Sequence, residues 1–206
     1  MTQARNGEPR KAALGFRAHS GWAVMVAVGG SPSAPLVIER RRVELVNREI
    51  PGSLQPYHAA AEMKLTDAAA FLRRCSDAAN AMARAAMRDA LAELAERGYQ
   101  AVGCAVLLAA GRPAADLAKT LASHPAIHTA EGEFFRNALK LAAESHGLAV
   151  TGIKERELFS RGAARLHIPV DELQRRAADL GKAIGPPWRQ DEKLSCLAGW
   201  LVLGSP

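Results

Sequence analysis

The hydrophobic pattern of the chain changes period several times, and each change marks an element. Residues 12–17 and 22–28 are apolar runs rich in β-branched and aromatic side chains, separated by Ser20-Gly21. That is a hairpin signal. The turn Gly29-Gly30-Ser31-Pro32-Ser33 follows, then a third strand over 36–46. Its middle carries Glu39, Arg40, Arg41, Arg42 and Glu44, and charges of that kind belong on a sheet edge, where they block pairing with other sheets. Pro51, Gly52 and Pro56 punctuate a connection. A long helix is then predicted over 66–97, capped by Thr66 and stopped by Gly98. Leu72, Cys75, Ala79, Met82, Ala86, Ala90 and Leu94 recur at helical spacing and form its apolar stripe.

Residues 102–108 are continuously apolar, the pattern of a central strand buried on both faces. A loop with Gly111 and Pro113 leads to a short helix over 114–122. Pro125 opens a further helix that runs to about residue 146 before Gly147, and a fifth strand covers 148–153. The tail reads as all-helical: 154–166, 170–180, and a last helix after Gly185-Pro186-Pro187-Trp188. The first eleven residues read as a flexible arm. Residues 12–204 read as one domain with a helical insertion at about 154–184.

Composition changes this picture little. Hydrophobic residues are 49% and charged residues 23% of the 206, ordinary for a globular chain and unlike a disordered one. The net charge is +6, and Arg outnumbers Lys by about three to one. This permits an anionic partner without requiring one. Cys75, Cys104 and Cys196 are widely spaced, lack C-x-x-C spacing and sit in apolar runs. They read as small hydrophobes in a reducing cytoplasm. The polar, basic start makes a poor signal peptide. The longest apolar runs, near 101–110 and 194–203, are too short to cross a bilayer. The expectation is a cytoplasmic protein with no membrane partner.

The order of elements, three strands, helix, strand, helix, strand, helix, resembles the RNase H-like superfamily. Two short motifs point to its Holliday-junction-resolvase branch. Ala13-Leu14-Gly15-Phe16-Arg17 followed by Gly21-Trp22-Ala23-Val24 looks like that branch's opening hairpin, and Asp191 opening a helix that continues Leu197-Ala198-Gly199-Trp200-Leu201 looks like its closing helix. The resemblance implies an α/β fold with a mixed five-stranded sheet. It also implies a nuclease site in which several carboxylates hold two metal ions for an in-line phosphoryl displacement. Here the chain departs from the pattern. The first-strand acid would fall at position 17, which is Arg17, and Leu108-Ala109-Ala110-Gly111 offers no acid at the end of the fourth strand. Only Asp191 and Glu192 stand where the last helix would supply ligands. The resemblance therefore implies a degenerate member, with Arg17 expected beside Asp191 or Glu192 in place of the metal charge.

Two other constellations carry candidate chemistry. In Ser123-His124-Pro125-Ala126-Ile127-His128-Thr129-Ala130-Glu131-Gly132-Glu133, a helix from Pro125 puts His124, His128 and Glu131 on one face. Such a set can chelate a divalent metal, or else His124 serves as a cap and the glutamates favour the helix N-terminus. Residues 163–176 resemble a DNA-binding helix-turn-helix, with His167 in the turn and Gln174, Arg175 and Arg176 on the second helix. The same pattern fits a plain helical corner.

Three functions follow as expectations. The first is an RNase H-like protein, non-catalytic or atypical, that binds nucleic acid or a nucleotide through phosphate contacts, with Arg17, His124, His128, Glu131, Arg175 and Arg176 as ligand-binding candidates. The second is a metal-dependent hydrolase built on His124, His128 and Glu131, with Asp191 or Glu133 beside them; Asp191, Glu192 and Glu131 are the catalytic candidates. The third is a scaffold that uses the 66–97 helix, compatible with a homo-oligomer.

Overall fold

A computed structural model of the chain describes residues 8–111 and 116–204. Period-2 alternation shapes its sheet. Strands β1 (Arg10–His19), β2 (Trp22–Gly30) and β3 (Pro35–Glu44) form an antiparallel meander, and β4 (Tyr99–Leu108) and β5 (Val150–Lys154) continue it in parallel, in the order β3-β2-β1-β4-β5. This is the mixed five-stranded α/β sheet expected, with β3 on the edge and β1 and β4 central. The strands extend beyond their apolar runs because the ladder recruits polar neighbours such as Arg10 and His19 into its register, Arg10 opposite Tyr99 and His19 opposite Trp22. β3 instead ends at Glu44, short of the predicted residue 46, and β5 begins at Val150 rather than at 148.

Each face of the sheet has its own core. Leu14 and Phe16 of β1, Met25 and Ala27 of β2, and Cys104 and Val106 of β4 pack under the long α2 (Leu65–Glu96) and under α4 (His124–Ser145). The alternate residues Ala13, Val24, Val26, Val28, Ala105 and Leu107 pack under α7 (Gln190–Leu203), with Leu158 and Leu173 of α5 (Leu158–Leu166) and α6 (Val170–Asp179) behind it. A buried leucine such as Leu197 contributes about 1.5–3 kcal/mol. Two glycines let α7 lie directly on β1: a Cβ on Gly15 would stand 1.8 Å from the Ser195 carbonyl oxygen, and one on Gly199 would stand 3.1 Å from the Gly15 nitrogen. Trp200 is fully buried in this layer and its Nε1 donates to the Pro32 carbonyl at 2.9 Å. No helix among the described residues is long and apolar enough to cross a membrane.

The structure corrects several expectations. The long helix starts at Leu65 with Lys64 as its N-cap, so Thr66 lies inside the first turn and caps nothing. Its buried stripe runs through Ala83 and Met87, with Met82 and Ala86 only half-buried. The 51–56 connection leads into a helix that the pattern did not predict, α1 (Pro56–Ala61), packed through Ala60 against Phe71, Leu72 and Cys75. The short helix after β4 is α3 (Leu117–Leu121), capped by Asp116, whose carboxylate accepts from the Ala118 backbone N–H at 2.9 Å. Pro113 and Ala114, assigned to the loop and this helix, lie outside the described residues. Residues 155–157 form a 3₁₀ turn before α5 rather than part of a continuous helix.

Candidate functional site

Alternation along β1 sends residues 13, 15, 17 and 19 to the α7 face, so Arg17 and His19 project beyond the apolar layer toward the start of α7. There Arg17 joins two carboxylates from different elements. Its Nε and Nη2 donate to the Glu155 oxygens at 3.0 and 2.9 Å, a bidentate pair, and its Nη1 donates to Asp191 Oδ1. Glu155 sits one residue past β5, and Asp191 in the first turn of α7. The hydrogen bonds to Glu155 do most to hold the Arg17 guanidinium above its ordinary pKa; burial opposes them, and Asp191 adds to them. His19 Nε2 lies 3.2 Å from Asp191 Oδ2 without hydrogen-bond alignment, and its ring stacks on Trp22 at 4.2 Å. Arg42 covers Trp22, with its guanidinium carbon 3.9 Å from the ring centroid.

The Arg17–Asp191 contact is the one expected from the sequence. Glu192 takes a different part: its Oε2 accepts the Arg189 backbone N–H at 2.8 Å and so closes the N-terminus of α7. The reciprocal half of a capping box is not available, because an arginine side chain has no acceptor. Glu155 and His19 were missed as site residues. Glu155 reads in sequence as helix-start charge, and only the placement of β5 beside β4 brings it near Arg17.

A second cluster forms where α1 meets the N-terminal turns of α4. The i, i+4 spacing sets His124 Nε2 and His128 Nε2 2.9 Å apart. His58 of α1 closes the group, its ring 5.7 Å from that of His124 and 4.8 Å from that of His128. Glu131, the third member expected, points deeper. It is buried, its Oε2 accepts the Tyr57 backbone N–H at 2.9 Å, and it lies 3.7 Å from His58 Nδ1. Burial pushes its carboxyl up to about 7 against the pull of backbone N–H groups of Tyr57 and His58. Burial, then the rings of His128 and His124, lower the pKa of His58. Gly111, just past β4, abuts Thr129 of α4, so this cluster also borders the C-terminal end of the parallel strands. Among the described residues no hydrogen bond or ion pair joins it to Arg17. The candidates thus fall into two separately bonded groups, Arg17 with Asp191 and His124 with His128.

The other candidates are paired locally. Arg175 and Arg176 both hold Glu172, at 2.7 and 2.8 Å. His167 adopts the left-handed conformation (φ 53°) between α5 and α6, which the tight turn requires and histidine tolerates. Leu173 and Ala177 of α6 are buried. Arg40 donates to the Gly185 and Pro186 carbonyls at 2.8 and 2.6 Å, and Arg41 to Glu39 and Glu93. The Arg40–Arg42 run thus ties the edge strand to its neighbours.

No protein-family model matches the sequence, and no curated protein does. Solved structures do. The chain is similar to Thermus thermophilus RuvC, with TM-score 0.53 and 11% identity over 92% of each chain. It is similar also to T. thermophilus RuvC in complex with Holliday junction substrate, with TM-score 0.54 and 10% identity over 93% of this chain and 92% of that one. The chain has the RuvC-type, RNase H-like fold. On this fold the two-metal chemistry implied by the sequence resemblance needs clustered, free carboxylates. Here Asp191 and Glu155 are both engaged by the Arg17 guanidinium rather than free, and Leu108, Ala109 and Ala110 bring no acid to the end of β4. The residues present do not fit a pair of divalent ions at this position.

Beside Arg17, a cleft of about 480 Å³ opens between the ends of β4 and β5 and the start of α7. Its walls include Ala109, Lys154, Glu155, Arg156 and Gln190. The cleft offers hydrogen-bond donors and positive charge to an anion through Lys154, Arg156 and Gln190.

Proposed function

We propose that this protein binds nucleic acid on a RuvC-type fold through phosphate contacts at the C-terminal end of its parallel strands, without two-metal phosphodiester cleavage. The observation that carries the reading is Arg17, gripped by Glu155 and Asp191 where the resemblance would place the first metal-binding acid. A fixed guanidinium there is no Lewis acid to activate water, and its charge is taken up by the two carboxylates, so the phosphate contacts fall to the cations on the rim of the neighbouring cleft. The surplus of six positive charges, the cationic rim of Lys154 and Arg156, which reach Glu157 only at 3.4 and 3.8 Å, and the Holliday junction bound by a structure of the same fold all support this reading. Arg175 and Arg176 are secondary contacts, since Glu172 already holds both.

Fluorescence anisotropy with four-way junction, duplex and single-stranded DNA and with RNA tests the reading. Binding at 50 mM salt should fall steeply as salt rises, because phosphate contacts release counterions. Arg156→Ala should shallow the salt slope by about one unit if Arg156 makes one phosphate contact. With magnesium or manganese the bound strands should stay intact. Absence of binding to any of these at 50 mM salt, or metal-dependent cleavage, would overturn it.

A further inference from the structure

The geometry points to a transition-metal site formed by His58, His124 and His128, with Glu131 as the carboxylate behind it. The ligand is a single borderline dication of the zinc class. Three imidazoles from two helices offer nitrogen atoms that all lie within 4.8 Å of one another. In a tetrahedral zinc site with Zn–N near 2.0–2.1 Å the nitrogens stand about 3.3 Å apart. The His124–His128 pair, at 2.9 Å, is close to that already, and both side chains are exposed enough to adjust their rotamers. His58 supplies the third nitrogen from the opposite wall.

Two buried polar atoms support the assignment. His58 Nδ1 and Glu131 Oε1 have no hydrogen-bond partner among the described residues, a costly arrangement for buried groups. Both belong to the same carboxylate–imidazole pair: His58 Nδ1 stands 3.7 Å from the other Glu131 oxygen, Oε2, which accepts the Tyr57 backbone N–H. A metal on His58 Nε2 would fix the imidazole with its proton on Nδ1, and a small ring rotation would give that proton to Glu131. Metal-bound histidines commonly carry such a carboxylate behind them. Nitrogen ligands without a free carboxylate or carbonyl oxygen select zinc, nickel or copper over magnesium and calcium. Three protein ligands leave a fourth position for water or an anion. The site shares no residue with the Arg17 cluster and does not rest on nucleic-acid binding there.

The test uses the full chain, stripped of metal with a chelator and titrated with zinc alone against a chromophoric competitor. One equivalent should bind, and cobalt in its place should give the visible spectrum of a tetrahedral site. His58→Ala and His128→Ala should each weaken zinc by about 100-fold or more, and Glu131→Gln by about 10–100-fold. His146→Ala, on a histidine outside the cluster, should leave binding unchanged. Zinc should also slow amide exchange in α1, a six-residue helix that is marginal by itself, because the metal would tie it to α4. If His58→Ala does not fold, the exposed His124→Ala and His128→Ala variants decide. No stoichiometric uptake by the wild type, or zinc affinity unchanged in His128→Ala, would overturn the site.

Discussion

At the scale of single residues, the worth of the Arg17 cluster depends on how far water reaches it. The side chains of Arg17, Asp191 and Glu155 are 23%, 24% and 42% exposed, between a buried pair and a surface one. Breaking a buried pair from one side costs about 3–5 kcal/mol, and exposed pairs contribute about 0–1 kcal/mol. Arg17→Ala leaves two carboxylates facing each other, so we expect urea denaturation to show a loss of about 1–3 kcal/mol. A loss within error of zero would mean that solvent already screens the cluster. Arg17→Lys should recover only part, because an ammonium cannot pair with Glu155 through two parallel bonds. Arg17→Asp should produce no nuclease, since the end of β4 still lacks an acid.

Glu133 gives the residue scale a pH dependence. Burial raises its pKa, but hydrogen bonds from Lys140 (2.6 Å) and Arg136 (3.0 Å) outweigh this and hold the carboxyl below its ordinary value. A group whose folded pKa is depressed stabilises the fold at pH above its unfolded pKa, about 4.3 for glutamate. That contribution is lost as pH falls through the folded pKa. The stability difference between wild type and Glu133→Gln should therefore be largest near neutral pH and shrink below about pH 4. A difference that grows on acidification would contradict the assigned pairing.

At the scale of elements, the legible parts were those with long or regular patterns. All five strands, the long helix and the three-helix tail follow from alternation, apolar runs and glycine stops. The stripe of α2 slipped from Ala83 and Met87 to Met82 and Ala86 because alanines surround it, and a small side chain marks no face strongly. α1 was invisible for a different reason. Six residues opened by Pro56 give less than two turns of pattern, and neighbouring proline and glycine read as a loop. With α1 went His58, so helical spacing alone pairs His124 and His128 with Glu131 instead of a third histidine.

The α7–β1 crossing supplies the sharpest test at this scale. Gly15 has no room for a methyl: its Cβ would sit 1.8 Å from Ser195 O and 2.6 Å from Gly199 N, both backbone atoms of α7. Rigid backbone cannot yield as a side-chain tip can. Gly15→Ala should displace α7 and cost more than about 4 kcal/mol, at the exceptional end for a single substitution. Gly199→Ala should cost less, since its Cβ would meet Gly15 N at 3.1 Å and the adjustable Val28 Cγ2 at 3.3 Å. A soluble Gly15→Ala protein that melts with the wild type would show that helix and strand do not approach this closely.

For the whole molecule, the three cysteines report separately on three apolar clusters. Cys104 lies under α2 and α4, Cys196 in α7 on the other face of the sheet, and Cys75 in the smaller cluster around α1. All three are buried, and burial pushes the thiols of Cys104 and Cys196 up to about 12. Only the thiolate attacks a disulfide reagent, so thiols held this far above their ordinary value react little in the native state near pH 8, even before access is considered. Labelling at these two positions must then wait for unfolding. If the sheet and both of its helical layers melt as one unit, Cys104 and Cys196 should react at the same rate, with the same urea dependence as global unfolding. Cys75 packs against α1, whose six residues open more easily than the layers on the sheet, so it should label faster and with a weaker urea dependence. Mass spectrometry of time-quenched samples resolves the three sites. Equal rates at all three would make α1 part of the global unit, while faster labelling of Cys196 than of Cys104 would show that α7 detaches from the sheet before the sheet itself opens.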